Sequence, residues 1–134
     1  MTTSLNRLVA LVAFLRSPKG CPWDRRQTHR SLIRYLREEA RELSHALERG
    51  EWHEIEDELG DVLLQVLLHA QIASEKGQFD IQDVARSQHL KLRRRHPHVF
   101  GTRRLKSAAQ VRRRWNKIKQ DERRLRGRDV ARRT

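Results

Sequence analysis

The chain has 134 residues, room for one domain with a core of its own, and is 37% hydrophobic, 35% charged and only 5% aromatic, with six Gly and three Pro, a profile that favours helix over sheet. No run approaches the roughly 18 apolar residues of a membrane span, and the apolar stretch 8–15 is short and lacks a small-residue cleavage site, so no membrane contact and a cytoplasmic setting are expected. Cys21 is the only cysteine, which excludes an intrachain disulfide and a thiol-based zinc site and leaves it the role of a small buried residue, while the net charge of +13 divides into −2 over residues 1–80 and +15 over 81–134. A basic half of this kind points to phosphates, whether of a small nucleotide or of a polymer.

The pattern predicts four or five helices and no strand, an all-α chain. A first amphipathic helix covers 4–15, with Leu5, Leu8, Val9, Val12 and Leu15 at helical spacing, and 17–20 ends it. Residues 21–24 read as a loop. Thr28 is the expected N-cap of a second helix that runs to about residue 48 and stops at Gly50, with Ile33, Leu36, Ala40, Leu43 and Leu47 as its buried stripe. A third covers 52–74, with Ile55, Leu59, Leu63, Val66, Ala70 and Ala73 as its stripe and an apolar middle, 62–68, buried on most sides. Asp80 caps a fourth, broken at Pro97, and Ser107 a fifth that passes Trp115 to about residue 124. Residues 126–134 read as a flexible basic tail, and Trp23, Trp52 and Trp115 as core or staple residues that could instead stack on a base.

Five carboxylates dominate the acidic half: Glu38, Glu39 and Glu42 in E-E-x-x-E spacing, then Glu58 and Asp61 in E-x-x-D spacing. Residues three and four apart share a helix face, so like charges here cost roughly 0.2–0.5 kcal/mol per pair unless something lies between them. One reading is a divalent metal site written on two helices, with hard oxygen donors favouring Mg²⁺ or Mn²⁺ over zinc. The other is a solvated face whose charges pair with Arg37, Arg41 or Arg49. Glu42-x-x-His45 fits half of a helical di-iron motif, which needs a second copy, and His53-Glu54 opens like a zinc protease motif but has Asp57 where the second His belongs. His96 and His98, flanking Pro97, suit a structural or phosphate-contacting turn.

The stretch Gly20-Cys21-Pro22-Trp23-Asp24, then Gln27-Thr28-His29, Glu38-Glu39-x-x-Glu42, Glu58-Leu59-Gly60-Asp61, the segment 94–101 from Arg94 to Gly101, and late Val111, Trp115, Ile118 and Lys119 resemble the MazG family of nucleoside triphosphate pyrophosphohydrolases. The resemblance covers about residues 5–124, in order and with unbroken spacing. It implies a helical bundle over 1–125 whose active site is completed by dimerisation, as a homodimer or dimer of dimers, and Mg²⁺-dependent hydrolysis of nucleoside triphosphates to the monophosphate and pyrophosphate, a house-cleaning activity. By motif position Glu39, Glu42, Glu58 and Asp61 would be metal ligands, and Glu38 a catalytic residue that holds a second metal or orients water. Lys91 and Arg95 would reach the phosphates, and Trp115 and Lys119 the base or sugar. Many family members carry two copies of this domain or an appended domain; this chain holds one copy, resembling the first of a tandem, and reads either as a complete short member or as a fragment.

The arginines at 112–114, 123–124 and 132–133 exceed what one triphosphate can use. They admit an alternative, a noncatalytic helical module that binds nucleic acid or a protein partner through its basic end, or a compositional bias towards Arg.

Overall fold

A computed structural model describes residues 1–102 and 104–133, residues 128–133 by backbone alone. The described residues form seven helices and no strand: α1 Ser4–Leu15, α2 Pro22–Arg26, α3 His29–Arg49, α4 Trp52–Glu75, α5 Ile81–Arg95, α6 Pro97–Phe100 and α7 Ala108–Arg133. They divide into two compact units, Met1–Val84 and Ala85–Thr134, with α5 starting in the first and continuing into the second.

Local chemistry sets the helix ends. The Thr3 hydroxyl accepts from Asn6 N at 3.1 Å and caps α1. Thr28 and Ser31 form a reciprocal capping box at the start of α3, at 3.1 and 2.9 Å, and Gly50 closes that helix in the left-handed region at φ 77. Asp80 and Asp83 cap one another at the start of α5, and the Ser107 hydroxyl accepts from Gln110 N at the start of α7. Residues 21–24 differ from the expected loop. Pro22 presets φ at the first position, Arg25 N donates to Cys21 O at 3.0 Å, and one turn of helix results. Gly20 admits this turn because a Cβ there would run into the carbonyls of Phe14 and Leu15. Cys21 is free and half-buried rather than buried.

In the first unit α3 and α4 form an antiparallel hairpin, with α1 packed on α4. Three pairings mark its register: Arg49 pairs with Glu54 at 2.8 Å beside the connecting turn, Glu39 lies opposite Glu58 and Asp61 in the middle, and His29 meets His69 at the far end. Val12, Leu32, Leu67, Leu68 and Ile72 make the core, surrounded by Leu8, Val9, Tyr35, Leu63, Leu64 and Ile81. Val12 and Leu32 are 1% and 0% exposed, so each contributes about 2 kcal/mol of transfer free energy.

The buried stripe of α3 is not the one expected. Leu32, Tyr35, Leu43 and Ala46 turn inward, while Ile33, Leu36, Ala40 and Leu47 are exposed, and on α4 Leu59 and Val66 are exposed as well. Two apolar stripes run along α3 about 100° apart, and periodicity alone does not choose between them. Trp52, at 83% exposure, is not a core residue, whereas Trp23 packs edge-on against Tyr35 at 5.8 Å.

In the second unit the carboxylate of Glu122 on α7 receives Arg94 and Arg95 from α5. Val111, Trp115 and Ile118 recur with Glu122 on the half-buried side of α7. α7 continues to Arg133, past the expected end near 124; the side chains of the expected tail from 128 onward lie outside the described residues.

Candidate functional site

On α3, Leu32, Tyr35, Glu39 and Ala46 follow one helical face, so Glu39 occupies a position where the pattern otherwise places a core side chain. On α4, Ile55, Glu58, Val62 and Gln65 repeat the arrangement. The hairpin register therefore turns carboxylates from both helices towards each other. One oxygen from each of Glu39, Glu58 and Asp61 lies within 4.8 Å of the others, and all three residues are half-buried.

The electrostatics follow from that crowding. Partial burial, then the Asp61, Glu58, Glu42 and Glu38 charges, push the Glu39 carboxyl up from its ordinary range. Burial, then Glu42, Asp61, Asp57 and Glu54, do the same to Glu58. Glu58 Oε2 is buried without a hydrogen-bond partner. The cations expected to neutralise a solvated face do so only in part: Arg49 pairs with Glu54, its charge reaching on to Glu42 and Glu58, and among the described residues Arg37 and Arg41 form no ion pair. A cluster of hard carboxylate oxygens with an unpartnered buried oxygen and no ion pair of its own fits a divalent cation. Glu42 and Glu38 stand outside the close triad, both exposed, yet near enough for their charges to act on Glu39.

The other expected site residues lie in the second unit. Arg95 donates to Glu122 Oε2 at 2.8 Å, and its guanidinium lies 5.4 Å from the Trp115 ring centroid. His96 meets the same indole edge-on at 4.9 Å. Trp115 also lines a cavity of about 550 Å³ with Ala108, Val111, Arg112 and Asn116. Lys91 lines a second, of about 560 Å³, with Arg94, Ile118, Asp121, Glu122, Leu125 and Arg126. Lys119 is half-buried on α7. Sequence reasoning misses Glu122 as an organising residue, although its place in the Val111, Trp115, Ile118 repeat is a signal. It misses the His29–His69 pair too: the rings stack with centroids 5.0 Å apart and their Nδ1 atoms 2.7 Å apart, across 40 residues of sequence.

Residues 27–100 match the family described as the MazG nucleotide pyrophosphohydrolase domain. A Thermotoga maritima protein named nucleoside triphosphate pyrophosphohydrolase/pyrophosphatase MazG is 57% identical over 94 residues, which are 70% of this chain and 37% of that protein. The nucleoside triphosphate pyrophosphohydrolase of Escherichia coli K12 is 41% identical over 120 residues, 89% of this chain and 46% of that protein. The chain thus spans less than half the length of either relative. The crystal structure of a mazG-related protein from Thermotoga maritima superposes with a TM-score of 0.68 at 25% identity, covering 85% of this chain and 97% of that one, and is consistent with the all-α bundle. By the match over residues 27–100, this chain belongs to the MazG nucleotide pyrophosphohydrolase family.

Proposed function

We propose that the domain over 1–125 hydrolyses nucleoside triphosphates to the monophosphate and pyrophosphate with Mg²⁺, or Mn²⁺ in its place, as a cytoplasmic house-cleaning enzyme. The observation that carries this reading is the half-buried triad of Glu39, Glu58 and Asp61, without an ion pair to any cation of the described residues. The relatives' names supply the reaction.

Glu39, Glu58 and Asp61, with Glu42 beside them, would hold the cation. The chemistry a divalent ion supplies at such a site is a lowered water pKa and neutralised phosphate charge. The chain's own contribution is rigidity. Two packed helices fix the carboxylates before substrate arrives, so little reorganisation is needed as charge develops. Glu38, exposed beside Glu39, is free to orient or deprotonate the attacking water or to hold a second ion. No covalent intermediate is required. Lys91 and Arg95 would meet the phosphates, and Trp115 and Lys119 the base or sugar; Glu122 keeps the Arg95 guanidinium oriented beside the indole.

A dimer, or a dimer of dimers, is part of the proposal. Ile33, Leu36 and Leu47 expose an apolar stripe along α3, at 43%, 38% and 55%, and a second copy is the simplest cover for it. No described helix is long and apolar enough to cross a membrane.

Pyrophosphate release from a panel of ribo- and deoxynucleoside triphosphates, with and without Mg²⁺, tests the reading. The native chain should release pyrophosphate only with metal, and Glu58→Gln and Glu42→Gln should not. A folded, metal-binding protein that hydrolyses no nucleotide would overturn it.

A further inference from the structure

At about 100° per residue, Arg112, Arg113, Lys117, Arg123 and Arg124 fall within an arc of about 140° on α7. All five are exposed. Between residues 112 and 127 the rest of that arc is filled by Asn116, Gln120 and Gly127, so over this span it contains neither an acidic nor an apolar side chain. Among the described residues no carboxylate lies within ion-pair distance of Arg112, Arg113, Lys117 or Arg123, and Arg124 alone has one, Asp121 at 3.3 Å. Arg113 and Lys117 also line an open groove of about 310 Å³ with Leu105, Gln110 and Arg114, and the Arg114 Nε is buried without a partner.

We infer that this face of α7 docks on the phosphate backbone of a DNA duplex. The cations spread over about 18 Å of helix axis, against one phosphate per roughly 1.7 Å of duplex axis, and a helix about 10–12 Å wide matches a major groove of about 12 Å. A membrane surface would need apolar residues beside the cations, and the arc has none over this span. An acidic protein surface is the competing partner for these cations, and polyglutamate stands for it in the test. Single strands are bound through exposed aromatic platforms; Trp115, the aromatic residue of α7, lies half-buried under Arg95 and His96. The inference concerns the phosphate contacts of the five cations, which position the helix and carry no sequence information themselves.

The test is anisotropy of labelled DNA and RNA duplexes of about 20 base pairs titrated with the full chain between about 50 and 200 mM salt. Five phosphate contacts predict a slope near −4.5 in log affinity against log salt, a loss of about 500-fold over that range; binding of the DNA duplex supports the inference, and binding of the RNA duplex alone overturns it. Each single Gln replacement at the five positions should lower the slope by about 1, and Gln at Arg113, Lys117, Arg123 and Arg124 together should leave a slope of about −1 while circular dichroism and pyrophosphate release stay as in the native chain. Singles that leave slope and affinity unchanged overturn the inference even where the combined variant does not fold. So does an absence of duplex binding at the lowest salt, or equal affinity for a single strand or for polyglutamate of matched charge. Because the readout is duplex affinity and the combined variant spares Arg112, which lines the Trp115 cavity, this inference and the hydrolase reading stand or fall separately.

Discussion

Arg16 at the end of α1 is clasped to Glu75 at the end of α4 by two hydrogen bonds, Nε to Oε2 at 2.8 Å and Nη2 to Oε1 at 3.1 Å. Its remaining nitrogen, Nη1, donates to the carbonyls of Asp24 at 2.6 Å and Gln27 at 3.0 Å. One guanidinium, 9% exposed, thus ties α1, the α2 turn and α4 together. Arg16→Met should cost about 2–3 kcal/mol, less than for a fully buried pair because the Glu75 side chain is 39% exposed. Urea unfolding at neutral pH measures it; a loss under about half a kcal/mol would show that the clasp is dispensable.

The same pair sets an acid limit. The Arg16 hydrogen bonds hold the Glu75 carboxyl below its ordinary value of 4.5. Its contribution is therefore complete above that value and disappears as pH falls through the lower folded one. Glu122 behaves alike, lowered to about 2 by Arg95 and Arg94. Glu122→Gln should remove about 2 kcal/mol at neutral pH and progressively less between pH 4.5 and about 2, read from unfolding curves across that window. A penalty that does not change with pH would contradict the assignment.

His29 and His69 predict a second pH window. With Nδ1 atoms 2.7 Å apart, one imidazole donates and the other accepts, and a proton on the accepting Nδ1 would cost that bond. Burial, then the His29 charge, lower His69 below 6.5. The unfolded chain binds the proton more readily there, so stability should rise with pH from the lowered value to 6.5 and level off above it. His69→Gln should flatten that rise in thermal melts. A slope that persists in the variant would assign it to another group.

Metal binding carries a proton signature. The Glu39 and Glu58 carboxyls are pushed up by burial and by their neighbours, so affinity should increase with pH as they ionise, and binding should release protons in calorimetry run in two buffers. At about 100 times its dissociation constant the ion should stabilise the chain by about 2.7 kcal/mol. Glu58→Gln should melt higher than the native chain in chelator, where it relieves repulsion, yet gain nothing from Mg²⁺. A native chain whose melting ignores Mg²⁺ would remove the basis of the proposal.

The helices are legible in the sequence because their signals are local: Thr28, Gly50, Asp80, Ser107 and Pro97 act on neighbours within four residues. Where local signals are ambiguous the expectation fails, as at 21–24, where Pro22 starts a turn of helix, and on α3, where two apolar stripes compete and the packing of α4 chooses the one holding Leu32.

The sequence by itself determined that carboxylates spaced three and four apart lie on two helices, since helical geometry is a property of the local chain. It also determined that the chain is basic after residue 80, since charge is only counted. Only the tertiary structure decided that Glu39, Glu58 and Asp61 converge while Glu38 and Glu42 stay outside the close triad, that Arg16 meets Glu75 across 59 residues, and that His29 meets His69. Arg16 meets Glu75 through the packing of α1 on α4, and the other two meetings depend on the register of the α3–α4 hairpin. It follows from the summed burial of a whole interface, which no local spacing contains.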